Sequence, residues 1–290
     1  MKHVFIFCLL IFSLLTICNC TVEPDQNNVS TNTETRKEPT QKPETPETIP
    51  PEIIPPETQT PETETPETQT PETETPPETA ILQINELRTE NDINLKMTEY
   101  VEFKVIQAGS LNSLNVHIMY DALNPFIYAF PAIEVATGEY ITLHLQTFES
   151  VCVNETGDNL SLSGGYESCP VARDLWVEGT AELLHKTDIV YLQDANGVII
   201  DAVVLNETPS KTWNNNQAHF ADITENLFIA GMWRSSGGSK PAPFDAVNTS
   251  AIGKTTFKSV SRYEGRENTH SAKDWYITTS GFNTPGKPNQ

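Results

Sequence analysis

The stretch EYVEFKV at residues 99–105 alternates strictly: Val101, Phe103 and Val105 point one way, Glu102 and Lys104 the other. A two-residue period is the signature of a β-strand with one apolar face, and it is incompatible with a helix, where like residues recur every three to four positions. The same period recurs in LNVHIMY, through Leu114, Val116, Ile118 and Tyr120. It recurs again in YITLHLQ, through Ile141, Leu143 and Leu145, with Thr142 and His144 opposite. ILQINEL, SVSRY and DWYIT read as further short strands. DIVYLQDANGVIIDAVVL reads as two apolar runs joined through Asn196-Gly197, a pair that favours a β-hairpin because both residues tolerate positive φ. Only PVARDLWV and ENLFIAGMW suggest short helical turns. About seven short strands separated by polar turns predict an all-β chain folded as a β-sandwich over residues 81–290.

The rest of the chain differs sharply from this. Residues 1–20, MKHVFIFCLLIFSLLTICNC, combine a basic start with an apolar run from Val4 to Ile17, too short for a membrane span and suited to an export signal. The run closes on Cys18 and Cys20 and then turns polar. This junction is similar to relaxed variants of the bacterial lipoprotein signal, in which Cys20, or in the alternative Cys18, becomes the lipidated first residue. Ordinary cleavage without lipid is the simpler alternative. Residues 21–80 hold 13 of the 21 prolines and repeat the unit PET. With almost no large apolar side chains they cannot offset the entropy of ordering, so a disordered tether is expected. Fully extended as polyproline II it would reach roughly 190 Å. The expected location is therefore exported and anchored to a membrane by an N-terminal lipid, in a bacterial outer membrane or at the cell surface.

The net charge is -21, and both tether and globular part are acidic. Repulsion from a phosphate backbone argues against a nucleic-acid partner. No cofactor, metal or catalytic group is expected. Of the histidines, His3, His117, His144, His185, His219 and His270, none sits in a nucleophile signature. His117 and His144 fall on the polar faces of their strands and are expected at the solvent surface. DANGVIID lacks the later ligands of a calcium loop and reads as a turn.

Several short pieces resemble, in their order, the lamin-tail domain, an immunoglobulin-like sandwich. They are INE at Ile84–Glu86, EYVEF at Glu99–Phe103, AGSLNSL, FPAIEVATGEYITL, DANGVIIDAV, SRY, DWYIT, and TPGKPN at Thr284–Asn289. The resemblance implies an immunoglobulin-like fold and a scaffold or interaction role, with no shared catalytic residues. Stretches near 146–187 and 207–257 stand outside the usual length of such a domain and are expected to be insertions.

Cys152 and Cys169 remain after the export segment, and in an exported chain a disulfide between them is the simplest reading; free thiols or a metal are the alternatives. Trp213, in KTWNNNQAHF, and Trp233, in GMWRSSGGSK, stand in polar loops where an indole can offer a stacking platform. They are the candidate ligand contacts, set against the plainer reading that each plugs a small core under a long loop. The expected function is non-enzymatic: a lipid-anchored surface protein displaying the sandwich for adhesion, scaffolding or protein binding. A carbohydrate- or cell-wall-binding module is the alternative, and an accessory to a hydrolase or nuclease system a weaker third.

Overall fold

The computed structural model describes residues 78–290 apart from 122, 211 and 214–216. The expected export signal, the expected tether up to residue 77 and the candidate lipid sites Cys18 and Cys20 lie outside the described residues. Among the described residues, thirteen strands form a six-stranded sheet, a five-stranded sheet and a two-stranded ribbon, which pack with one α-helix around a main core.

The first sheet has six strands. β1 (Ile81–Arg88) pairs antiparallel with β2 (Tyr100–Gln107) on one side and β12 (Val260–Arg262) on the other. β13 (Trp275–Ile277) extends it beyond β12, and β7 (Tyr140–His144) beyond β2. β8 (Arg173–Trp176) closes the far edge, parallel to β7. The second sheet runs β11 (Val247–Asn248), β10 (Ile199–Asn206), β9 (Asp188–Gln193), β4 (Asn115–Ile118) and β5 (Phe126–Ala129). β3 (Gly109–Ser110) and β6 (Glu134–Val135) form a small ribbon.

The core is built from the alternating residues. Val101, Phe103 and Val105 from β2, and Ile141, Leu143 and Leu145 from β7 and just beyond it, bury against Val116, Val190, Leu192 and Val203 of the second sheet. Each such side chain removed from water contributes about 1.5–3 kcal/mol, so the apolar period alone specifies which faces meet. Asp201 on β10 ties the sheets together: its Oδ2 accepts from Ile84 N at 2.8 Å and from Arg262 Nη2 at 2.7 Å. The β9–β10 hairpin forms at the Asn-Gly pair. Gly197 has φ +80, and Asp194 Oδ1 accepts from Asn196 N and Val198 N, so the DANG segment is a turn held by its own aspartate.

The α-helix, α1 (Phe220–Ile229), starts earlier than ENLF and buries Phe220, Thr224 and Leu227 at i, i+4 and i+7. Gly231, at φ +77, reverses the chain after it. PVARDLWV is helical only in a single turn at its start, where Ala172 N donates to Cys169 O. Arg173–Trp176 is extended because its backbone pairs with β7, a tertiary contact that local propensity does not register. At the other end, residues just before the expected boundary pair with the domain: Ala80 N donates to Ser110 O, and Ser110 N to Glu78 O. A Cβ at Gly109 would lie 2.2 Å from Glu78 O, so glycine is required for this approach.

Candidate functional site

The polar face of the first sheet is not a solvent face. Residues 146–172 and the segment 283–290 lie over it, and the side chains expected to meet water are buried. His144 is fully buried, its ring stacked 3.8 Å from Trp176 and its Nε2 2.9 Å from Asp174 Oδ1. His117, on the second sheet, is also buried and stacks on Tyr191 at 4.5 Å. Both therefore depart from the expected exposed position. Strand period assigns a face, and what covers that face is decided by segments distant in sequence.

At the centre of this layer Glu86 and Glu102 stand directly opposite each other on β1 and β2, both fully buried. Like charges opposed in a dry layer would repel strongly. Burial pushes the Glu86 carboxyl up; burial, and then Glu86 itself, push Glu102 well above the ordinary range. The pair is held by a dense donor set. Glu86 accepts from Ser259 Oγ, from Ser261 Oγ at 3.0 Å, and from both N and Oγ1 of Thr284. Glu102 accepts from Asn85 Nδ2 at 2.6 Å and from Gly286 N. Asn289 completes the cluster: its Nδ2 donates to Asn85 O at 3.0 Å and to Arg262 O at 2.8 Å. This arrangement does not present an acid–base pair to a substrate; it docks the segment 283–290.

INE, SRY and TPGKPN, more than 170 residues apart at the extremes, thus meet in one buried clamp. The Asp201–Arg262 pair adjoins it, and the Arg262 guanidinium lies 4.3 Å above the Trp275 ring.

A second set of contacts fastens the 146–172 stretch. Glu155 accepts from Leu162 N and Ser163 N at 2.9 Å each and from Asp174 N at 2.8 Å. Arg173 Nη1 donates to Glu155 O and Gly157 O, and its Nε to Glu139. Trp176 Nε1 donates to Ser163 Oγ at 2.8 Å. The expected Cys152–Cys169 bridge is not formed; both are free thiols. Cys152 is half-buried beside Gly165 and Trp176, whereas Cys169 is packed with Ala172 against Gly286. The stretch is fastened by buried carboxylate and guanidinium contacts, and each sulfur fills its own niche.

The two candidate tryptophans separate. Trp233 is 1% exposed and belongs to the main core, so it is not a ligand contact. The turn at Gly231 throws it inward, and its polar neighbours mask that in the sequence. Trp213 stays half-buried, edge-on to Phe220 at 5.3 Å. It lines an open groove of about 390 Å³ with Ala218, Ala221, Thr224, Pro241 and Pro243, and the Glu225–Lys240 ion pair at 2.6 Å stands on its rim. An aromatic wall, an apolar floor and a charged rim suit a flat apolar face with polar edges, such as a sugar ring or a prolyl or aromatic side chain.

A larger cleft, about 470 Å³, lies beside β4 and β5. Ile118, Phe126 and Leu183 give it apolar walls; Tyr120, Asp121, Glu182 and His185 give it a polar side. It adjoins a smaller polar cavity of about 260 Å³ through Tyr120, Glu182, His185 and Gln217, which Glu90, Glu99, Glu207 and Lys186 also line. Lys186 pairs with Glu90 at 3.6 Å and more closely with Glu207. Burial raises Glu99 to about 7 although Leu183 N and Leu184 N donate to it. Sequence reading missed this cleft, because its acids come from separate loops with no common spacing.

Residues 80–277 match the profile of a domain family described as a protein second domain. An uncharacterized protein of Treponema pallidum (strain Nichols) is 27% identical over 219 residues, which cover 73% of this chain and 54% of that protein. The chain spans about half the length of this curated relative.

Proposed function

The chain belongs to the second-domain family matched by residues 80–277, and on that premise we propose that it is a non-enzymatic surface lipoprotein. It holds a lamin-tail-like, immunoglobulin-like sandwich away from a membrane on the PET tether, anchored through lipid at Cys20, and binds a protein partner. One observation carries this reading. The buried histidine, carboxylates and arginines of the first sheet are engaged in fastening segments 146–172 and 283–290, while two accessible clefts, beside β5 and at Trp213, have apolar walls. A fold that commits its ionisable groups to its own closure is suited to presenting a surface. Metabolic labelling with palmitate is expected to mark the wild type and not Cys20→Ser. Retained labelling in that variant that disappears in Cys18→Ser moves the anchor, and no labelling of the parent removes it.

The groove at Trp213 supports a second reading, a carbohydrate- or cell-wall-binding module. Retention on a glycan array that is lost in Trp213→Ala with unchanged melting temperature would favour it over protein binding. Trp233 has no part in that test, since its truncation would open the core.

A further inference from the structure

β5 is the last strand of the second sheet, and among the described residues no strand pairs with its outer edge. The edge is short and uncharged: Phe126, Ile127, Tyr128 and Ala129, with Pro125 and Pro131 near its ends. Sheets usually blunt such an edge with a charge, or cover it, because its free N–H and C=O groups template further pairing. The first sheet does this at β8, where Glu155 N donates to Asp174 O, Asn154 Oδ1 accepts from Trp176 N, and Glu155 Oε2 from Asp174 N. Among the described residues, no comparable backbone contact covers β5. Ile127 is 51% exposed and pairs in register with His117, which in turn pairs with Tyr191. One apolar and aromatic row therefore runs in from the open edge.

The same cleft borders β5, since Phe126 and its β4 partner Ile118 both line it. Its apolar walls end at Asp121 and Glu182. Asp121 is fixed as an acceptor by Leu123 N at 2.8 Å, Asn124 N at 3.2 Å and Asn124 Nδ2 at 3.3 Å, and these donors hold its carboxyl below the usual range. Glu182 meets Lys254 only at 3.4 Å on an exposed surface. Across the two adjoining cavities the carboxylates Asp121, Glu90, Glu182 and Glu207 outnumber the lysines Lys186 and Lys254. An apolar channel ending in carboxylates fits a lysine or arginine side chain, whose stem packs on the walls while its head meets the acids.

We propose that β5 is a docking edge for an extended, basic segment of another protein, which adds to the second sheet as a sixth strand and places a lysine or arginine side chain in the cleft of Ile118, Phe126, Asp121 and Glu182. Strand addition supplies affinity through main-chain hydrogen bonds, and the cleft supplies selectivity. Charge decides against two nearer occupants. The tether at 21–80 carries 14 acidic residues against three basic ones, and residues 81–290 carry 25 against 14, so neither the tether nor a second copy is complementary to the cleft. The inference rests on the protein-binding reading and names the partner's chemistry.

The test is a titration of the full chain, in detergent, into fluorescein-labelled octapeptides followed by anisotropy. The peptides are an alternating Val–Lys sequence, its Val–Glu counterpart, and the Val–Lys peptide with alternate backbone nitrogens methylated. The Val–Lys peptide is expected to bind about tenfold or more tighter than either of the others, and less tightly as salt rises. Ile127→Lys places a charge on the open edge at an exposed position, and Asp121→Asn with Glu182→Gln discharges the cleft. Each is expected to weaken binding about fivefold or more at unchanged melting temperature. No binding of the Val–Lys peptide overturns the inference, as does equal binding of the methylated or Val–Glu peptide. Binding indifferent to Ile127→Lys also overturns it, since attraction would then be charge alone. Palmitate labelling is independent of all these outcomes, so the display reading stands or falls separately.

Discussion

Gly286 is where the clamp is most sensitive. It sits at φ +74 in the segment 283–290, and its N–H donates to the buried Glu102. A Cβ there would lie 2.6 Å from Cys169 Cβ and 2.7 Å from Ala172 Cβ, closer than such atoms approach. Neither neighbour can easily retreat. Cys169 N donates to Asp174 Oδ2 at 3.0 Å, Ala172 N donates to Cys169 O at 3.1 Å, and Asp174 in turn holds His144. In Gly286→Ala the left-handed conformation costs about 1–2 kcal/mol and the overlap about 1–3 kcal/mol more. Relief by lifting the segment would strip Glu86 and Glu102 of donors from Thr284 and Gly286, a loss of similar size. A total of about 2–5 kcal/mol in a domain of this size lowers the melting temperature by roughly 4–20 °C. Gly138→Ala is the control: φ is +87 there, yet nothing lies within 4 Å of the added Cβ. It should lose only the conformational part, about 2–8 °C. Calorimetry of both variants, with the alkylation rate of Cys169 as a readout of segment lifting, checks the reasoning. Equal melting temperatures for the two variants would refute it.

Asp201→Asn keeps the shape and an acceptor for Ile84 N but leaves the Arg262 guanidinium without its counter-charge in a dry site, so a loss of about 3 kcal/mol is expected in urea unfolding. A loss under about 1 kcal/mol would show that the stack on Trp275 and the bond to Ile84 O suffice to hold the arginine. The second expectation concerns pH. Glu99 is raised from 4.5 to about 7 in the folded state, so folding favours its protonated form; that stability is fully present below about pH 4.5 and is lost as pH rises through 7. Between pH 5 and 8.5 the loss amounts to at most about 3 kcal/mol. Asp188, pushed up to about 8 by burial, adds a loss of the same sign. Glu99→Gln should therefore flatten the stability profile over that range, leaving the Asp188 part in place. Parallel profiles for wild type and variant would rule Glu99 out as the titrating group.

The period of two in EYVEFKV, LNVHIMY and YITLHLQ was sufficient to place Val101, Phe103, Ile141 and their partners in one core, because transfer from water depends on side chain and face and hardly on what lies beyond. The Asn196-Gly197 turn was legible for a similar reason: the backbone angles and the Asp194 acceptor are local. The opposite faces were not. Glu86, Glu102, Thr142 and His144 alternate as solvent residues do, and only the folding back of 146–172 and 283–290 buries them. Trp233 turned inward for the same kind of reason, as did the strand at Arg173–Trp176 and the separate niches of Cys152 and Cys169. The cleft beside β5 is also a product of assembly, since Asp121 and Glu182 share no spacing and meet only where two loops border one strand. Alternation records which side chains share a face of a strand. Which face water reaches depends on contacts between residues from about twenty to about two hundred positions apart, and those contacts leave no period in the sequence.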